Sequence, residues 1–189
     1  MRTTSITARE HLLRAISKFS ADKCGVAAIE FAILLPLMLT LYLGGVELTN
    51  GVAIQRKVTL TSRALADLSS QFTSIAGSDM TNILNAASDI IAPYPSAQLA
   101  ATVSELSINA QGQAVVIWSS AYNGGSARSV GSVVSIPTTL ATPNSYLVLG
   151  EAQYSYKPGL GYSVVGNLTL SDTMYMRPRQ STSIAFNNS

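Results

Sequence analysis

The chain has 189 residues, of which only 12% are Asp, Glu, Lys or Arg, and a mean hydropathy of +0.28. Both values are unusual for a wholly soluble protein and fit one lipid-spanning segment joined to a Ser-, Thr- and Ala-rich domain of ordinary size. A net charge of +2 is too small to argue for a nucleic-acid partner, and a single cysteine excludes an intramolecular disulfide.

Residues 1–25 read as a basic cytoplasmic leader. Before Gly25, Arg2, Arg9, Arg14, Lys18 and Lys23 outweigh Glu10 and Asp22, whereas from Glu47 onward seven basic residues balance seven acidic ones. The excess positive charge therefore lies on one side of the apolar segment that follows. Ala21, Asp22 and Lys23 precede Cys24 and are not apolar, which excludes a lipoprotein signal. Cys24 is expected to be a reduced cytoplasmic thiol. His11, the only histidine, is assigned no chemistry.

Residues 26–46 read VAAIEFAILLPLMLTLYLGGV, with Glu30 as the only charge. At 1.5 Å per residue this is about 31 Å, close to one hydrocarbon thickness. The segment is apolar on all faces and flanked by basic residues, so it is expected to be a transmembrane helix rather than a buried core helix. The positive-inside rule places the N-terminus in the cytoplasm and the 47–189 domain on the far side of a bacterial inner membrane. No small-x-small cleavage site follows the long apolar run, which argues against a removed secretory signal.

Helical periodicity continues over about 47–76. Ile54, Val58, Thr61, Leu65, Leu68, Phe72 and Ile75 form one stripe, and Gln55, Lys57, Thr59, Ser62 and Ser70 form the expected polar face. Gly77 reads as a C-terminal cap. A second helix is expected over about 79–91, with Ser78 as N-cap and Asp79 at the positive end of its dipole. Pro93 and Pro95 stop it. The period then changes to two. Strands are expected over about 102–109, 113–122, 145–156 and 170–177, with loops at 123–130 and 137–144. The fold class is α+β: a transmembrane helix continuing into an amphipathic one, packed with a second helix on an antiparallel sheet.

The stretch Cys24-Gly25-Val26-Ala27-Ala28-Ile29-Glu30-Phe31 carries the most chemistry. A carboxylate near the end of a membrane span is costly and usually has a partner. Cleavage after Gly25 would supply one, the α-amine of Val26, with an intrinsic pKa of about 8. The alternative is that Glu30 reaches the interface and pairs with nothing. Gly25 followed by Glu30-Phe31 at the head of an apolar helix resembles a type IV prepilin processing site. GVAAIEFAILLPLML, then GGVELTN, resembles the TadE-like family, pseudopilins of the tight-adherence (Flp) pilus machinery. Glu47 and the ending Tyr175-Met176-Arg177-Pro178-Arg179 also resemble that family, and the close match covers residues 24–50.

The resemblance implies a pilin-like fold. It also implies that Gly25 and Val26 flank the bond cut by a prepilin peptidase. Glu30 and Phe31 would then serve processing and helix assembly, and Pro36 would kink the span. From the residues alone, Pro36 removes one helical hydrogen bond, which is tolerable in lipid. Arg177 and Arg179 are either a docking point for an acidic partner group or are solvated, one of them pairing with Glu47 or Asp172. Tyr146, Tyr154 and Tyr156 read as cross-strand packing.

No catalytic constellation, cofactor motif or metal-ligand cluster is evident, so neither an enzyme nor a small-molecule substrate is expected. The expected partners are membrane lipid, a prepilin peptidase, other pilins or pseudopilins, and pilus assembly platform proteins. The expected role is in assembly of a type IVb (Flp/Tad) pilus for adhesion and biofilm formation. The competing reading is a membrane-anchored surface adhesin or envelope-binding module outside any pilus. A bulk filament subunit would dominate sheared filaments; an assembly factor would be rare there.

Overall fold

The computed structural model describes residues 23–159 and 166–187. The leader before residue 23 and His11 lie outside the described residues. The first helix, α1, is Lys23–Ser70, 48 residues long, with Pro36 inside it. The chain divides into two compact units, residues 1–46 and 47–189. In the first, the side chains from Gly25 to Val46 are almost all exposed, as expected of a surface that meets lipid rather than a protein core. An 18-residue window of the helix has mean hydropathy 2.2 with none of it buried, so α1 is long and apolar enough to cross a membrane.

The second unit is α+β. After α1 come β1 (Ser74–Ala76), α2 (Gly77–Ile91), β2 (Leu99–Ile108), β3 (Ala114–Tyr122), β4 (Val133–Val134), β5 (Ser145–Tyr156), β6 (Leu168–Met176) and β7 (Ala185–Asn187). Five strands form an antiparallel sheet in the order β4-β3-β2-β5-β6, and β1 pairs in parallel with β7. The chain therefore leaves β3, returns past it and joins β2 on the other side.

One face of the sheet receives the helices. Ile54, Val58 and Leu65 of α1 and Met80, Ile83, Leu84, Ala87 and Ile91 of α2 form one core with Leu99, Val103, Val148, Ala152 and Tyr154. The closest approach lies at Gly150, where a Cβ would stand 2.4 Å from the Ser62 carbonyl oxygen. This explains why Ser62, expected on the polar face, is buried; Ser70, also expected there, is buried too. Each hydroxyl is satisfied within its own helix, Ser62 donating to the Thr59 carbonyl and Ser70 to the Asp67 carbonyl.

The opposite face is covered at one end only. Leu106, Ile108, Val116, Leu147 and Leu149 form a second core with Val134, Ile136, Leu140 and Tyr175. β5 is thus buried on both faces there, and loop residues of the 130–144 region act as a lid.

Element ends differ from the sequence expectation in several places. Helix α1 stops at Ser70, not near residue 76, and Ile75 sits in β1. Gly77 opens α2 rather than capping α1. The N-cap is Ala76, whose N–H donates to the Asp79 carboxylate at 3.2 Å, so Asp79 rather than Ser78 satisfies that end. The carbonyl of Ser70 is satisfied from far away in sequence, by the Arg179 N–H at 2.8 Å.

Candidate functional site

Gly25 and Val26 lie near the start of the described part of α1. No atom lies within 4 Å of where a Cβ on Gly25 would sit, and Val26 is 57% exposed. Glu30 follows Val26 by four residues, on the same helix face, and helical side chains lean toward the N-terminus. A free amine at Val26 would thus stand on the side toward which Glu30 leans. Phe31 is 63% exposed. Pro36 leaves the Ala32 carbonyl without its helical donor, while its own carbonyl accepts from the Thr40 hydroxyl at 2.7 Å.

The other candidates fall in the second unit. Glu47 accepts from the Tyr156 hydroxyl at 2.5 Å. Burial, and then this bond, push the Tyr156 phenol up to about 12. Neither candidate partner of the arginine pair is used. Arg179 forms its ion pair with Asp67 at 2.5 Å, not with Glu47 or Asp172, and Arg177 donates to the Thr142 hydroxyl at 2.9 Å. Asp172 instead accepts from Thr59 of α1. Arg179 therefore caps α1 twice: by its amide on Ser70 and by its cation near the negative end of the helix dipole. Replacing Arg179 by alanine keeps the amide and removes a half-exposed pair, so the expected loss is about 0.2–1 kcal/mol. A double-mutant cycle with Asp67→Ala, read by chemical denaturation, checks it; a coupling energy of zero removes the pair from the account.

Two polar arrangements escape the sequence reading. Arg128, in the loop after β3, makes a two-pronged bond to Glu151 of β5 at 2.6 and 3.0 Å. The bond holds the guanidinium above its ordinary value. The pair sits in an open polar cleft of about 810 Å³ over the uncovered end of the sheet, floored by Thr102, Gln153 and Thr173. Arg128 and Glu151 answer each other, and the remaining lining is hydroxyls and amides together with the Asp172 carboxylate.

The second arrangement centres on Glu105, which is fully buried. A bulge puts Ile117 out of register, so that Glu105 faces Trp118 across β2 and β3. Glu105 Oε1 accepts from the Ile184 N–H at 2.7 Å, and the Trp118 indole donates to the Ile184 carbonyl at 2.8 Å. Burial pushes the carboxyl upward, partly offset by these donors. A lone glutamate within the strand Thr102–Ile108 was the available signal for it. Among the described residues, no group of His, Cys, Asp and Glu is placed to hold a metal ion.

Fold and segment together define a chain with one helix long and apolar enough to cross a membrane, followed by an α+β domain. Residues 25–67 match the family model described as TadE-like protein, so the family resemblance carried by the apolar helix is shown over that segment. No curated protein and no solved structure matches the chain.

Proposed function

We propose that the protein is a membrane-anchored pseudopilin or minor pilin that takes part in assembling a type IVb (Flp/Tad) pilus, and so in adhesion and biofilm formation. The observation that carries this reading is the family match over residues 25–67, which contains Gly25, Val26, Glu30 and Phe31 at the head of a lipid-compatible helix. In this reading the chain is not an enzyme and uses no cofactor. A prepilin peptidase cuts after Gly25, and the Val26 amine pairs with Glu30 within one molecule or between neighbouring helices. The apolar surface of the anchor packs against other pilin-like spans in the inner membrane, with the leader cytoplasmic and the α+β domain on the far side. Other pilins and the assembly platform are its partners.

The test is the intact mass and first residue of a tagged copy, purified from membranes of cells with and without the peptidase. A start at Val26 that depends on the peptidase is expected. A start near Met1 in both strains overturns processing and returns Glu30 to an interfacial carboxylate without a special partner.

A further inference from the structure

The segment Ile184–Asn187 is held the way a sheet holds a foreign peptide. Its main chain is read on both sides at Ile184, by the Glu105 carboxylate on the N–H and the Trp118 indole on the carbonyl. β7 then runs parallel to β1, with the Ala185 N–H on the Thr73 carbonyl at 3.2 Å and the Asn187 amide on the Ser74 hydroxyl at 3.2 Å. Two side chains at alternate positions enter apolar sites. Ile184 is 1% exposed, and the Phe186 ring lies 5.4 Å from that of Trp118. Main-chain bonds plus alternate apolar pockets are the elements of strand-addition recognition.

The tie between this segment and its own groove is slight. The preceding anchor is Arg179, fixed to Ser70 and Asp67. Gln180, Thr182 and Ser183 between them are exposed and in neither helix nor strand. Five residues reach at most about 17 Å, enough to enter a groove on a neighbour pressed against this one. The segment also leaves its site incompletely filled. A cleft of about 350 Å³ remains beside it, lined by Thr73, Glu105, Trp118 and Tyr146, and Glu105 Oε2 is buried without a hydrogen-bond partner. A three-residue strand held in this way opens at low cost compared with the five-stranded sheet.

We propose that the groove formed by β1, Glu105 and Trp118 is a strand-acceptor site that takes residues 184–187 of a second copy of this chain, linking copies through exchanged strands. The occupant is specified by the groove itself, because every copy carries the segment that fits. Within one chain the segment competes at a high effective concentration, so exchange appears when copies are held side by side, as anchors in one membrane hold them. The exchange does not depend on peptidase processing or on entry into a filament.

Disulfide trapping in full-length chains tests it, on a Cys24→Ser background. Ser74→Cys is placed in one tagged chain and Ala185→Cys, at its register partner, in another, and the two are expressed together and oxidised in the membrane. The doubly substituted chain reports the pairing within one molecule, and Thr139→Cys in place of Ala185→Cys reports random collision. The expected result is an intrachain disulfide in the double variant and a mixed dimer several-fold above the collision control. An intrachain disulfide with no mixed dimer above that control overturns the exchange. Failure of the double variant to form its disulfide removes the β1–β7 pairing and the proposal with it.

Discussion

Replacing Gly150 by valine is expected to destabilise the folded domain by more than about 3 kcal/mol. A Cβ at this position would meet the Ser62 carbonyl oxygen at 2.4 Å, the Ala66 nitrogen at 3.0 Å and the Ala66 Cβ at 3.1 Å. Two of these are backbone atoms of α1, which no rotamer change can move. The helix would have to lift from β5, uncovering Val58, Leu65 and Val148, each essentially solvent-free in the native packing. Overpacking costs about 1–3 kcal/mol where side chains can yield, and more where they cannot. A loss above about 3 kcal/mol is a large part of a stability of about 5–15 kcal/mol. Chemical denaturation of the detergent-solubilised chain, followed by Trp118 fluorescence, measures it. Gly51→Ala is the control: its Cβ would only touch the Tyr156 ring at 4.0 Å. It is expected to be neutral or stabilising by up to about 1 kcal/mol, the helix-propensity gain. A valine variant that melts within about 1 kcal/mol of the parent would refute the close helix–sheet contact.

Gly150 also shows where sequence reasoning runs out. The fold class is legible because its signals are local: an apolar run, a helical stripe, then alternation with a period of two. The strand around Gly150 is plain on those grounds, but its alternation shows nothing of a helix crossing at that residue. Ser62 and Ser70 read as polar surface for the same reason, since their burial depends on which sheet residue lies opposite. β1 and β7 are three residues each and pair across more than a hundred positions, as Ser74 with Ala185, too short and too distant for any periodic signal. The candidate site divides along the same line. Gly25, Val26, Glu30 and Phe31 sit within one short stretch, and the roles expected of them come from the family resemblance of that stretch. The partner of Arg179 is Asp67, 112 residues away, where Glu47 and Asp172 were equally plausible by charge. The bulge that turns Glu105 toward Trp118 leaves no trace in the alternation of either strand.

Glu105 yields the second large effect, and it depends on pH. Its folded-state carboxyl is raised above 4.5, first by burial, against the pull of the Ile184 amide and the Trp118 indole. Tyr146 is the other titratable side chain lining the adjoining cleft. A raised folded-state value means that the folded chain holds the proton more tightly than the unfolded chain. The contribution of this group is therefore fully present below about pH 4.5 and is lost as pH rises through the folded-state value. Glu105→Gln keeps an acceptor for the Ile184 N–H and removes the buried charge. At pH 7 it is expected to be more stable than the parent by about 1–2 kcal/mol, with the difference vanishing near pH 4. Glu105→Ala leaves that N–H without an acceptor and opens a cavity, so it is expected to lose about 1–3 kcal/mol near pH 4, and less at pH 7 because the parent itself is weaker there. Subtracting the glutamine profile from that of the parent cancels the other carboxylates, which both chains share. Parallel profiles between pH 4 and 7 would mean that the carboxylate is solvated or ion-paired. In that case its grip on Ile184 would be an ordinary hydrogen bond rather than one made in a dry site.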